Sequence, residues 1–142
     1  MAVLQTQTTS FKVELLNGYH AFSSAYRAAD TFKIALYTSG ASLGAATTVY
    51  SATNEASGGS YSAGGAVLVP LAPLASGTSA CLSFATVSWT GVITANSALI
   101  YNSTQGNRSV CVLNFGANKT SANSFVITFP VQDQYNAVIR IS

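Results

Sequence analysis

Charge is what this chain has least of. Four acidic and six basic side chains make up 7% of its 142 residues, where an ordinary soluble domain carries roughly a quarter. The basic residues Lys12, Arg27, Lys33, Arg108, Lys119 and Arg140 are scattered along the chain. They form no stripe to follow a phosphate backbone, which argues against nucleic acid as a partner. There is one histidine, His20, and there are only two cysteines, Cys81 and Cys111. Neither a metal-ligand set nor a disulfide framework is expected from so few such residues. Cys81 and Cys111 fall in apolar, strand-like runs and read as buried free thiols, with a bridge between facing strands as the alternative.

The same scarcity argues against catalysis and against any cofactor. A Ser-His-Asp arrangement would have to recruit His20 with Asp30 or Asp133, and the chain has no GxSxG elbow to present a nucleophile. The carboxylates Glu14, Asp30, Glu55 and Asp133 lie in four separate segments, so nothing marks an acid–base pair. The first ten residues show no basic stretch followed by an apolar core, and no run is long enough to cross a bilayer. A soluble product of the cytosol, without a membrane partner, is the expectation. The triplets at Asn102, Asn107 and Asn118 match the glycosylation acceptor pattern, but in a chain rich in Asn, Ser and Thr they are expected by chance.

What is present is an ordinary share of apolar residues, 49%, set among Ser, Thr, Ala, Gly and Asn. Such side chains cost little to desolvate and little entropy to fix, which suits a surface that another protein covers. At this length a single domain with its own core is expected.

Along the chain, residues 10–22 carry Phe11, Leu15, Leu16 and Tyr19 near one helical face, with Ser10 as the cap, Glu14 in the first turn and Gly18 at the end. Residues 1–30 therefore read as an arm or short helix belonging to the same domain as a β-sandwich over 31–142. From residue 31 the period becomes two, with Phe32, Ile34 and Leu36 alternating with Lys33, Ala35 and Tyr37. A short strand is predicted at 47–50, followed by a glycine–serine loop at 56–65 with Tyr61 at its centre. Pro70 and Pro73 bound a segment suited to a sheet edge or a crossover. Residues 79–89 read as one strand with a register shift before Val87. Strands at 97–101, 109–115, 124–129 and 137–141, joined by turns at 102–108 and 116–123, suggest an antiparallel meander.

The 97–101 and 109–115 strands are apolar on both faces, whereas a sandwich strand normally wets one. Either the N-terminal segment or a neighbouring subunit is expected to cover the second face. Leu99, Tyr101, Cys111 and Leu113 are accordingly candidate interface residues. Tyr61 and Tyr135 are the tyrosines expected to be exposed, as interface contacts or in a sugar-binding groove. The fold class predicted is all-β, an antiparallel β-sandwich of jelly-roll or Greek-key type.

Several long phrases then occur in order: DTFKIALYTSGASLGAATTVYSATNEASG at 30–58, YSAGGAVL at 61–68, ALIYNSTQGNRSVCVLNFGANKT at 98–120 and FPVQDQYNAVIRI at 129–141. Together they resemble a family of small virion proteins of tailed bacteriophages, most closely the capsid decoration or cement proteins. The likeness spans roughly residues 11–141 and departs from the usual pattern at AYRAAD, 25–30, which reads as an insertion. It implies a homotrimer on the capsid surface, folded in the host cytoplasm, with the major capsid protein as partner and no cofactor. A different class, a module on a tail or head fibre that binds host-surface glycans, is the alternative.

Overall fold

A computed structural model describes residues 5–142, of which strands dominate: 41% of residues are in strands and 6% are helical. In chain order the elements are β1 (Thr6–Gln7), α1 (Thr9–Leu16), β2 (Phe32–Tyr37), β3 (Ala66–Leu68), β4 (Leu74–Ser76), β5 (Ser79–Leu82), β6 (Val87–Thr90), β7 (Thr94–Asn102), β8 (Arg108–Thr120), β9 (Ser124–Ile127) and β10 (Ile139–Ile141). All strand pairs are antiparallel. A five-stranded sheet runs β1-β8-β7-β2-β3, a three-stranded sheet β10-β5-β4, and a two-stranded ribbon β6-β9.

The large sheet meets the two smaller ones across one apolar core. Phe32, Ile34, Leu36, Ala98, Ile100 and Val110 from the large sheet pack with Leu82, Trp89, Phe125, Ile127 and Ile139 from the others and with Phe84 from the link between β5 and β6. Period-two alternation accounts for most of this: every second residue of β2 and β7 faces the same side. A bulge modifies it on β8. Cys111 opposes Ile100 and Ser109 opposes Tyr101, leaving Val110 as the extra residue. Val110 and Cys111 therefore both reach the shared core, while Val112 turns to the far side.

That far side is where the structure corrects the sequence reading most. Ala35, Tyr37, Leu99, Tyr101 and Val112 form a second buried cluster, capped by Ala41, Leu43 and Tyr50. The cover is neither the N-terminal segment nor a neighbour but the chain's own insertion between β2 and β3, residues 38–65. The Tyr50 ring stacks on Tyr101 with centroids 4.8 Å apart. Residues 47–50 belong to this strap and form no strand, only a single bridge from Val49 to Arg108.

Other expectations shift in register or length. The 79–89 strand is two, β5 and β6, separated at 83–86 where the register break was predicted. The expected meander holds for β7 and β8 only. β9 and β10 return to the opposite layer, pairing with β6 and β5, because Phe125, Ile127 and Ile139 are needed to close the core there. β8 continues through residues 116–120, the first part of the turn predicted at 116–123. β3 is an edge strand, and the chain crosses between layers at Pro70. Pro70 has no N–H for a ladder, and the bonds around it run from Leu71 N to Ser83 O and from Ala85 N to Val69 O, both 2.9 Å.

The helix starts two residues earlier than the expected cap allows. Thr8, not Ser10, is the N-cap, its hydroxyl accepting from Phe11 N at 3.3 Å. Gly18, in a left-handed conformation at φ +78°, follows the end of the helix as predicted. The buried face is Phe11 and Glu14, while Leu16 and Tyr19 face outward. Glu14 turns the helix this way because its carboxylate is bound from both sides, by His20 and by Arg108.

Candidate functional site

Two of the four carboxylates, Glu14 and Asp30, are buried, and both are tied to the one histidine's surroundings. His20, on the segment after α1, lies against the end of β7 with its side chain fully buried. Its Nε2 is 2.8 Å from Glu14 Oε2, and its Nδ1 is 3.0 Å from Asn102 Nδ2. Asn102 Nδ2 also donates to Asp30 Oδ2 at 2.8 Å, and Asn102 Oδ1 accepts from Thr104 N and Gln105 N. Arg27 closes the far end on Asp30 at 2.9 and 3.1 Å, and Arg108 closes the near end on Glu14 at 3.1 Å. Burial opposes ionisation of Asp30, but donors from Arg27, Ala21 N, Asn102 and Gln105 outweigh it and hold the carboxyl well below its usual range. Burial lowers the His20 pKa, against the pull of Glu14 and Asp30.

The carboxylate oxygens of Glu14 and Asp30, both ring nitrogens of His20 and the side-chain amide of Asn102 are all engaged, and Phe11, Phe22 and Phe32 pack around the imidazole. No side chain in this cluster is both activated and open to a substrate, so its action is to pin the N-terminal segment to the sheet. Asp133 lies apart, accepting from Tyr135 N and Asn136 at the 133–136 turn.

A second polar centre sits under the strap. Glu55 accepts from Tyr61 Oη at 2.5 Å, from Gly64 N at 2.7 Å and from Tyr50 Oη at 2.7 Å. Tyr61 Oη in turn accepts from Leu36 N at 2.9 Å, tying the strap to β2. Tyr101 Oη donates to Gly64 O and Tyr37 Oη to Ser51 O. Burial, reinforced by Glu55, pushes Tyr50 and Tyr101 up to about 12 and raises Tyr37 and Tyr61 as well. These four phenols act as hydrogen-bonding struts.

The sequence-predicted contact residues thus separate. Tyr61, expected to be exposed, is half-buried against Trp89, with its hydroxyl bound on both sides. Leu99 and Tyr101 are buried beneath the strap, and Cys111 is a buried free thiol in the shared core. Burial raises the Cys111 pKa to about 12. Leu113 is half-buried and Tyr135 is 74% exposed. Leu113, with Phe115, Phe129 and Val138, lines a groove of about 740 Å³ between β8 and the C-terminal segment.

The sequence reading missed the outermost apolar residues of the N-terminal segment. Leu16 is 91% and Tyr26 102% exposed, and Val67, Val69, Leu71 and Leu74 make a further run at the β3–β4 edge. A helix face drawn from Phe11, Leu15 and Leu16 hid the first of these, and only the ionic partners of Glu14, distant in sequence, correct it.

Among the described residues no cluster of His, Cys, Asp and Glu is arranged to hold a metal ion, and no helix is long and apolar enough to cross a membrane. Fold and surface together define a mostly β domain with few charges and with apolar side chains on its outside. Compared with known proteins, the chain matches no family model, and no curated protein or solved structure is significantly similar to it.

Proposed function

We propose that this chain is a virion structural protein, a homotrimeric capsid decoration or cement protein that stabilises a phage head by bridging capsid subunits. The observation that carries the reading is a charge-poor surface on which large apolar side chains stand exposed. Glu14 and Asp30 are buried and paired with the partly exposed Arg108 and Arg27, while Leu16, Tyr26, Val131 and Tyr135 stand exposed. Apolar side chains in a charge-poor surface suit burial against another protein. The phrase-level likeness to phage virion proteins points the same way, and the antiparallel, mostly β architecture is compatible with the jelly-roll or Greek-key sandwich this reading proposes. Because the strap already shields the second face of the β7–β8 hairpin, subunit contacts fall on the groove beside Leu113 and on the exposed edges. Closed threefold symmetry would multiply modest contacts into firm attachment to the major capsid protein.

The test is sedimentation of the purified chain, followed by co-pelleting with phage heads lacking decoration. A trimer at micromolar concentration that saturates the heads is expected. A monomer that does not pellet with them overturns the proposal. Tyr135, exposed on the 133–136 turn, favours one other reading, a glycan-binding module of a fibre. Binding on a glycan array that Tyr135→Ala abolishes would select it.

A further inference from the structure

We propose that the His20 cluster is an acid-sensitive latch, which holds α1 and the segment up to residue 29 on the sheet at neutral pH and releases them when the imidazole takes up a proton. The proposal stands on how the hydrogen bonds are polarised. Thr104 N and Gln105 N can only donate, so the Asn102 side-chain atom they meet at 3.1 and 3.2 Å must be its oxygen. The Asn102 amide nitrogen then faces His20 and Asp30, giving one hydrogen to Nδ1 and the other to Oδ2. His20 Nδ1 is therefore an acceptor without a proton, and Nε2–H donates to Glu14. A proton on Nδ1 would place two donors 3.0 Å apart in a site sealed by Phe11, Phe22 and Phe32.

Rotating the Asn102 amide gives no relief, because it would turn N–H groups toward Thr104 N and Gln105 N and an oxygen toward the Asp30 carboxylate. The charged form is left with a buried unmet donor, which is costly.

The groups around the imidazole come from every element that packs there. Glu14 on α1 and Asp30 across Asn102 favour the proton, and Arg108 on β8, bound to Glu14, opposes it. Arg27 neutralises Asp30 from outside. Burial outweighs the carboxylates and lowers the His20 pKa. A histidine whose folded pKa is below the unfolded value of 6.5 leaves docking at full strength above that value. Docking then weakens as pH falls through the interval beneath it, by up to about tenfold per pH unit. Undocking would uncover Phe32, on which Phe22 stacks at 4.3 Å, and Phe84, which Phe22 also touches. Acid thus turns a covered apolar surface into an open one.

Hydrogen exchange of the full chain at pH 7.5 and 5.0, corrected for intrinsic rates, tests the latch. Residues 9–29 should lose protection at pH 5.0, by up to about tenfold for each pH unit below 6.5, while β7 and β8 keep theirs. His20→Gln presents a donor and an acceptor that do not titrate, and should remain protected at both values. Unchanged protection in the wild type, or equal loss in His20→Gln, overturns the proposal, as does simultaneous loss over the whole chain. Should His20→Gln not fold, NMR titration of the one histidine decides: a midpoint below 6.5 that coincides with the exchange transition supports the latch, and a midpoint at or above 6.5 refutes it.

Discussion

Glu55 and Tyr61 show how single side chains hold this fold. Tyr61 Oη gives its proton to Glu55 and takes one from Leu36 N, so one hydroxyl joins strap, carboxylate and sheet. Tyr61→Phe would keep the ring on Trp89 but leave Leu36 N–H without its acceptor and Glu55 with one donor fewer. The expected loss is about 1–3 kcal/mol, read from urea unfolding at neutral pH. Tyr135→Phe, at an exposed turn, should stay within about 0.5 kcal/mol. Cys81 and Cys111, both buried and free, should resist a thiol reagent in the native protein and react in denaturant; rapid native labelling would contradict their placement. The sequence made Tyr61 look exposed because it sits among glycines and serines. Its partners lie 6 and 25 residues away, where no local pattern reaches. The cysteines were legible because their neighbours are apolar on either side.

At the scale of elements, the strap depends on backbone that passes very close to β2. Gly65 lies at φ +78°, and a Cβ there would fall 1.7 Å from Ile34 O. Gly106, in the β7–β8 turn at φ +66°, has nothing within 4 Å of the same position. Gly106→Ala should therefore cost about 1 kcal/mol, the left-handed strain alone. Gly65→Ala must also displace backbone and should cost clearly more, with thermal unfolding of the two variants side by side as the measurement. Equal losses would mean that the close approach does not bear on stability. The positive-φ path of this loop was visible in its glycines, and β2, β7 and β8 in their alternation. What covered the second face was not, since 38–55 is rich in small and polar residues and offers no more than a short strand at 47–50. The helix was legible in its end at Gly18 but neither in its cap nor in its orientation: Leu16 matches an apolar stripe, yet the ion pairs of Glu14 decide which face goes in.

For the molecule as a whole, pH enters through Asp30 as well as His20. The Asp30 carboxyl is held below its ordinary value of 3.8 in the fold. Its contribution is complete above that value and is lost as pH falls from 3.8 toward the folded pKa, where only the unfolded chain gains the proton. Asp30→Asn should lower the melting temperature at pH 7 and flatten its decline below about pH 4; an unchanged acid limb would show that Asp30 is not its source. The all-β class was readable because patterning is local, whereas the layer joined by each late strand was not, since that depends on which half of the core still lacks apolar cover.

The pairings of the outermost strands also govern how the chain reaches this state. Thr6 aligns with Val112, and Ile141 with Ala80, so neither end can settle until polypeptide made long before or long after it has arrived. Refolding on the millisecond-to-second scale follows, and a nascent chain released short of β10 would leave β5 with a bare edge, ready to capture whichever strand comes first.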